Sequence, residues 1–256
     1  MSIYFLDTTS VTSKSRNRLD RVILERGLAE TREKAQALIM AGEVLVDGQK
    51  ATKAGQLVSP ENVIEILAKL RYASRGGLKL EGALQTFHID VQGLVAADFG
   101  ASTGGFTDCL LQHGAARVHA IDVGSGQLDW KLRNDPRVVV HEGVNARYLE
   151  LADLGEPVDL AVCDVSFISA TLILPAMVRV LKAEPGTGIV VLVKPQFEVG
   201  KGQVGKGGIV RDPAQHHAVC AKLRAAVEEP GFETQMMESP ITGAEGNKEF
   251  LLYGRR

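Results

Sequence analysis

From Leu94 onward the chain alternates short apolar runs with amphipathic stretches. The apolar runs predict strands at about 94–98, 117–122, 138–141, 159–163 and 188–193. Spacing near 3.6 residues predicts helices at about 105–113, 127–133, 170–181 and 214–228. Strands and helices that alternate in this way build a mostly parallel α/β sheet. The pattern changes near the end. Thr234–Glu238 and Glu249–Tyr253 both read as strands with no helix between them, which predicts an antiparallel pair at the sheet edge. A helix-like stretch, Leu78–Thr86, precedes the first strand.

The first quarter has a different rhythm. Residues 1–16 are rich in Ser and Thr and lose periodicity after Leu6, as in a flexible tail. Arg18–Leu28 reads as an amphipathic helix closed by a glycine, with Leu19, Val22 and Ile23 on one face. Thr31 is placed to cap a second helix whose stripe is Ala35, Leu38 and Ile39, ended by Gly42. Val44–Gln49 is a short strand running into an Asp47-Gly48 hairpin turn. Pro60, Val63, Ile64 and Ile66 complete another strand. The expected organisation is therefore a tail (1–16), a small α+β domain (17–67), a basic linker (68–77) and an α/β domain (78–256).

Composition changes the picture in two places. The 256 residues are 45% hydrophobic and 23% charged, ordinary for a soluble globular protein. Cys109, Cys163 and Cys220 lie far apart without a C-x-x-C, which argues against a zinc site or disulfide framework and suits a reducing cytoplasm. No apolar run approaches the roughly 18 residues of a membrane span, and no signal-peptide pattern opens the chain. The second point is charge. Residues 14–79 carry 13 Lys and Arg against 8 Asp and Glu, while residues 80–256 carry 16 against 22. A basic module ahead of an acidic, enzyme-like body suggests a polyanionic partner.

The candidate chemistry begins at Ala96–Phe106, where an apolar strand ends in Asp98 and a glycine-rich turn opens a helix. Glycines let a ligand approach the backbone, and ligands of open α/β sheets bind beyond the carboxyl ends of the strands. Asp122 ends the next strand and suits the two hydroxyls of a ribose. The spacing is D-x-G-x-x-x-G-G rather than G-x-G-x-x-G. An acid at this point is wrong for a pyrophosphate and right for a cationic ligand, so S-adenosylmethionine is favoured over a dinucleotide. The candidate cofactor contacts are Asp98, Gly100, Ser102, Thr103, Gly104, Gly105, Phe106 and Asp122, with Asn145 near the adenine and Asp164 beside the same site. Asp164 and Lys194 end the strands 159–163 and 188–193, and a lysine after Val190–Val193 is unusual. Phe167 reads as a core residue, and His216 and His217 as surface positions opening a helix.

Two resemblances follow from these residues. Arg18–Leu28 and Thr31–Gly48 carry R-L-D-x-x-L/I-x-x-R-G-L and T/S-R-x-x-A-x-x-x-I-x-x-G-x-V-x-V-x-G. They resemble the S4-like RNA-binding domain over residues 17–67. Lys79, Asp164, Lys194 and Glu249 together resemble the K-D-K-E catalytic tetrad of FtsJ-like ribose 2′-O-methyltransferases. With S-R-G-G-x-K-L, D-F-G-A-S-T-G-G-F-T-D, D-V-S-F-I-S, K-P-Q-F-E and G-N-x-E-F, the chain from about residue 17 resembles the TlyA (haemolysin A) family of rRNA 2′-O-methyltransferases. The resemblance implies a Rossmann-like methyltransferase sheet, S-adenosylmethionine as methyl donor, no metal, ribosomal RNA or ribosomal subunits as partner, and cytidine as target. The cations expected to meet RNA are Arg18, Arg21, Arg26, Arg32, Lys34, Arg71, Arg75, Lys201 and Lys206.

Gly200–Gly208 matches G-x4-G-K, but Gly207 replaces the Ser or Thr that a P-loop needs for Mg²⁺ and no helix starts there, so nucleotide hydrolysis is rejected. The stretch reads either as an RNA-gripping loop or as a plain crossover loop. Two rival functions remain. A non-catalytic RNA-binding or ribosome-assembly factor would need no tetrad. A membrane-lytic protein, as the haemolysin name suggests, would need a spanning or strongly apolar amphipathic segment.

Overall fold

The computed structural model describes residues 16–40, 42–66, 71–200, 202, 204–205, 207–243 and 246–256. Residues 1–15 of the predicted tail and residues Lys201 and Lys206 lie outside them. The chain divides into two compact units, Met1–Lys69 and Leu70–Arg256.

In the first unit β1 (Asn17–Arg18) leads into α1 (Leu19–Glu25) and α2 (Arg32–Met40). Four short strands follow: β2 (Val44–Val46), β3 (Gln49–Lys50), β4 (Leu57–Val58) and β5 (Ile64–Ile66). Strands β3-β2-β5 form one antiparallel sheet and β1-β4 another. Thr31 caps α2 as its position predicts, its hydroxyl accepting the Lys34 N–H at 3.1 Å. Asp47 and Gly48 both have positive φ, +50° and +77°, the geometry of the tight hairpin turn between β2 and β3. Leu19, Ile23, Ala35, Ile39 and Val44 are fully buried at the centre of this unit. Beside them sits Asp20, also fully buried. Its carboxylate accepts from Arg18 at 3.0 Å, Arg32 at 2.9 Å and Gln36 at 2.9 Å. These bonds, that from Arg18 foremost, hold it well below the usual carboxylate range.

The second unit begins with α3 (Gly76–Thr86). It continues through β6 (Val95–Phe99), α4 (Gly105–Gln112), β7 (Arg117–Asp122), α5 (Trp130–Arg133), β8 (Val138–Glu142), α6 (Leu151–Leu154), β9 (Leu160–Cys163) and α7 (Leu174–Val180). The last elements are β10 (Gly188–Val193), α8 (Pro195–Glu198), α9 (Pro213–Glu228), β11 (Glu233–Glu238) and β12 (Phe250–Arg255). The sheet order is β11-β12-β10-β9-β6-β7-β8. Strands β10, β9, β6, β7 and β8 pair in parallel, and β12 runs antiparallel to both β10 and β11. The antiparallel pair closes one edge as its pattern predicts, with the reversed strand one place in from the outermost. Strand β10 is buried at all six positions, which is why it reads as an unbroken apolar run. Alternate residues face opposite cores. Val190 and Leu192 pack with α3 and α4, while Ile189, Val191 and Val193 pack with α7 and α9.

The described part of the expected linker is no free joint. Tyr72 is 2% exposed, the Ala73 N–H donates to Asp108 Oδ2 at 2.8 Å, and Gln112 donates to the Arg71 carbonyl at 2.9 Å. These bonds lay residues 71–73 along α4. Two other positions also differ from the sequence reading. His216 is buried, its Nε2 2.9 Å from the Val210 carbonyl oxygen and its ring edge-on to Phe250. The inward face of α9 takes it there. Phe167, expected in the core, is 92% exposed.

Asp98 lies inside β6, fully buried. One of its oxygens accepts both the Thr107 N–H at 2.9 Å and the Thr107 hydroxyl at 2.7 Å, tying the strand to the first turn of α4. The other is buried with no hydrogen-bond partner among the described residues. Burial pushes this carboxyl up to about 7. The Thr107 bonds oppose that rise, and the negative charges of Asp164 and Asp122 add to it.

Two predictions follow from these carboxyls. Asp20→Ala should weaken the first unit by about 1–3 kcal/mol, because three donors lose their acceptor. Amide hydrogen exchange over residues 17–66 in the full chain would measure it. The depressed folded value means that the Asp20 contribution is complete above about pH 4 and disappears on further acidification. Asp98 has the opposite sign. Between about pH 4 and 7 the folded chain holds a proton that the unfolded chain has lost, so stability falls as pH rises through that window. Denaturant unfolding at pH 5 and pH 8 should show wild type losing stability relative to Asp98→Asn. A pH-independent difference would contradict it.

Candidate active site

The carboxyl ends of β6, β7, β9 and β10 meet at one end of the sheet. After Phe99 the chain turns at Gly100, with φ +85°. A Cβ there would stand 2.9 Å from the Asp164 carbonyl oxygen, so only glycine lets the loop cross the end of β9. Ser102, Thr103, Gly105 and Phe106 face the resulting cleft. Gly104 does not. It sits at the start of α4 with φ +94°, and a Cβ on it would strike Leu128 and Leu132. The Asp98 carboxyl is fully buried and bonded to Thr107 of α4, so it fastens the loop from beneath.

Two adjoining cavities open here. The first, about 570 Å³, is lined by all four tetrad candidates: Lys79, Asp164, Lys194 and Glu249. The second, about 510 Å³, is lined by Asp122, Gln127 and Asn145 with apolar Val123, Ile168 and Ile173. Gly100, Ser102, Asp164, Ser166 and Phe167 border both. Asp122 is held by two backbone donors, Ser102 N–H at 2.8 Å and Gly124 N–H at 2.7 Å. Asn145 caps the single 3₁₀ turn Ala146–Tyr148, accepting the Arg147 N–H at 3.2 Å.

The four charged residues form two ion pairs. Lys79 Nζ lies 2.5 Å from Glu249 Oε2, both largely buried. Lys194 Nζ lies 2.6 Å from Asp164 Oδ1. The topology explains the meeting. Lys194 follows the last residue of β10, and Glu249 precedes the first residue of β12. Val193 and Phe250 are direct partners across that antiparallel pair. Lys79 arrives on α3, which packs on the same side of the sheet.

The sequence motifs quoted around the tetrad also hold residues whose contacts no spacing rule predicted. Lys194 Nζ donates to Ser166 Oγ at 2.8 Å. Glu198, with its side chain 2% exposed, accepts from Ser169 Oγ and the Ala170 N–H, each at 2.6 Å, and from Lys222 at 2.9 Å. Phe167 has φ +68° and its ring meets that of Phe197 at 5.1 Å. The only signal was the density of polar residues in Asp164–Ser169, a stretch with neither helical nor strand period.

The expected RNA cations divide by environment. Arg75 is exposed and lines the tetrad cleft. Arg71 pairs with Glu81. In the first unit Arg18 and Arg32 hold Asp20, Arg21 reaches Glu25 at 4.0 Å and Lys34 reaches Glu30 at 2.9 Å. Arg26 donates to the carbonyls of Pro60 and Asn62. All five remain surface-exposed. Among the described residues no helix is long and apolar enough to cross a membrane, and no cluster of ligating side chains could hold a metal ion.

Residues 72–256 match the FtsJ-like methyltransferase family and residues 17–64 match the S4 domain. YqxC of Bacillus subtilis, described as an rRNA methyltransferase, is 49% identical over 95% of this chain and 86% of its own. The 16S/23S rRNA (cytidine-2′-O)-methyltransferase TlyA of Mycobacterium tuberculosis is 49% identical over 94% of this chain and 90% of its own. A solved structure from Streptococcus thermophilus, described as a hemolysin, is 44% identical with a TM-score of 0.71, covering 95% of this chain and 90% of that one. Relatives 49% identical thus match this chain over more than nine-tenths of its length, and the chain belongs to the TlyA family of FtsJ-like rRNA 2′-O-methyltransferases.

Proposed function

We propose that this chain methylates the ribose 2′-hydroxyl of a cytidine in ribosomal RNA, with S-adenosylmethionine as donor. One observation carries the reading: two Lys–acid pairs face a single cleft that opens directly onto a second cavity suited to the donor. The substrate class follows the relatives, whose names specify rRNA and cytidine. Ribosomes put the enzyme in the cytoplasm.

The second cavity fits the cofactor on its own chemistry. Gly100 gives a cradle that a Cβ would fill. Asp122 has lone pairs to spare for two ribose hydroxyls, and Val123, Ile168 and Ile173 offer an apolar slot with Asn145 beside it for the base. When bound, S-adenosylmethionine supplies a methyl group on a cationic sulfur that leaves as a neutral thioether. The chain's residues do the rest by positioning and electrostatics. Lys194 Nζ is the group placed to meet the 2′-oxygen, and as a neutral amine it would take the hydroxyl proton and become an ammonium while that oxygen is methylated. Asp164 pairs with that amine. The buried Lys79–Glu249 pair forms the opposite wall and fixes the ribose. Arg75, exposed at the rim, and the S4 domain hold the RNA backbone.

Three outcomes are expected. Lys194→Ala should slow single-turnover transfer of labelled methyl to rRNA by about 10²–10³-fold, with calorimetric affinity for S-adenosylmethionine close to wild type. Lys194→Arg should not rescue, since a guanidinium does not shed its proton. A near-normal rate in Lys194→Ala would remove the residue from the mechanism. Asp122→Ala should weaken cofactor binding about tenfold or more, whereas Asp98→Asn, whose side chain is buried against Thr107, should bind within a few-fold of wild type. Affinity for rRNA should fall steeply with salt, with a log–log slope near −0.7 to −0.9 per phosphate contact. A flat salt dependence would contradict a backbone-gripping surface.

A further inference from the structure

Lys194 Nζ donates to Ser166 Oγ at 2.8 Å. Asp164 Oδ1 lies 2.6 Å from the same nitrogen, but it is a buried oxygen with no hydrogen-bond partner among the described residues. The contact with Asp164 is therefore an ion pair that is not aimed, and Ser166 is the acceptor that sets where an N–H of the amine points.

Asp164 alone would not do this. A nearby charge leaves Nζ free to spin about the bond from the side-chain carbon, whereas a directed acceptor restricts that rotation. Ser166 is itself held from both ends of its loop. Asp164 begins the loop at the end of β9, and Ser169 and Ala170 close it on the buried Glu198 carboxylate. Glu198 is only four residues beyond Lys194, at the end of α8. The loop is therefore fastened to the segment Lys194–Glu198 at two points, through Ser166 and through Glu198. Phe167 adopts its positive φ between those two ties. Strain in a bulky residue of this kind persists only where the surroundings over-determine it.

We propose that Ser166 is a positioning residue for methyl transfer: its hydrogen bond sets the orientation of the Lys194 amine toward the ribose hydroxyl. This rests on the reading of Lys194 given above. The other charged groups lining the cleft are Arg75, Lys79 and Glu249, and Lys79 and Glu249 are paired with each other.

The test uses the full-length chain with Ser166→Ala and Ser166→Thr. Single-turnover transfer to rRNA reads the aim. Pulse labelling of lysine amines with acetic anhydride at one fixed pH, read by mass spectrometry at Lys194, reads how firmly the amine is held without any turnover. Ser166→Ala should transfer methyl about tenfold more slowly, the scale of one lost hydrogen bond to a charged group, with cofactor and rRNA affinities within about threefold of wild type. Its Lys194 should label faster than in wild type. Ser166→Thr, which keeps the hydroxyl, should restore both. Labelling and transfer rates that stay at wild type in Ser166→Ala would overturn the role of Ser166. So would a Thr variant as impaired as Ala, which would point to side-chain size instead. If the wild-type chain placed no methyl on ribose, the reading of Lys194 would fail instead, and the labelling rate would still judge the contact.

Discussion

The cleft depends on one strand running the wrong way. A parallel neighbour of β10 would bring its carboxyl end to Lys194 and its first residue to the far side of the sheet. Because β12 is reversed, the residue just before it, Glu249, stands beside the residue just after β10. A lysine and an acid separated by 55 positions thereby become neighbours through backbone register alone. Register in a sheet with both faces buried is hard to shift, since a slip by one residue would turn Leu251 and Leu252 to opposite cores. The hydrophobic core and the position of the acid are thus the same constraint. Lys79 then pairs with Glu249 across 170 residues of chain, and the cost of burying that pair is met by its short contact and by packing set elsewhere.

The division between legible and illegible features follows from range. Local physics was visible. The Thr31 cap, the Asp47-Gly48 turn and the buried run Ile189–Val193 each depend on a few adjacent residues. Strand ends of the second unit fall within a residue or two of the pattern, whereas in the first unit the strand expected from Pro60 begins only at Ile64, and the two-residue strands β1 and β4 carry too few positions to show a period. The helix expected at 127–133 shortens to Trp130–Arg133 because Asp129 caps it, accepting the Lys131 N–H. The helix expected at 170–181 splits into a 3₁₀ turn and α7, with Pro175 in the first turn of the second piece. The tetrad was legible only through family resemblance, since no spacing rule connects residues 79, 164, 194 and 249. The misreadings at Phe167 and His216 are alike. Each concerns whether one side chain turns inward or outward, and that is decided by a partner that no helical or strand spacing connects to it. Val210 claims His216, and the loop fastened by Glu198 turns Phe167 outward.

Charge in the first unit shows how composition overstates free surface. Residues 14–79 are rich in Lys and Arg, yet Arg18 and Arg32 are needed to keep a buried carboxylate ionised. Such cations still present their outer N–H groups to solvent, and an Arg held by one carboxylate is pre-ordered for a second anion. The same residues can thus stabilise the fold and meet phosphate. Their contribution to each is not separable by counting charges.

Balance of charge also shapes the cleft. Each of its lysines has an acid within 2.6 Å, so the tetrad carries no net charge to compete for phosphates. Arg75 is the cation left at the rim, immediately before α3, and Lys79 follows one turn into that helix. An RNA backbone drawn to Arg75 would be registered against the helix that carries Lys79, and hence against the ribose-facing wall. Attraction and chemistry would then fall to different cations: Arg75 to the phosphate, and the lysines, each held by its own acid, to the uncharged hydroxyl of the proposed reaction.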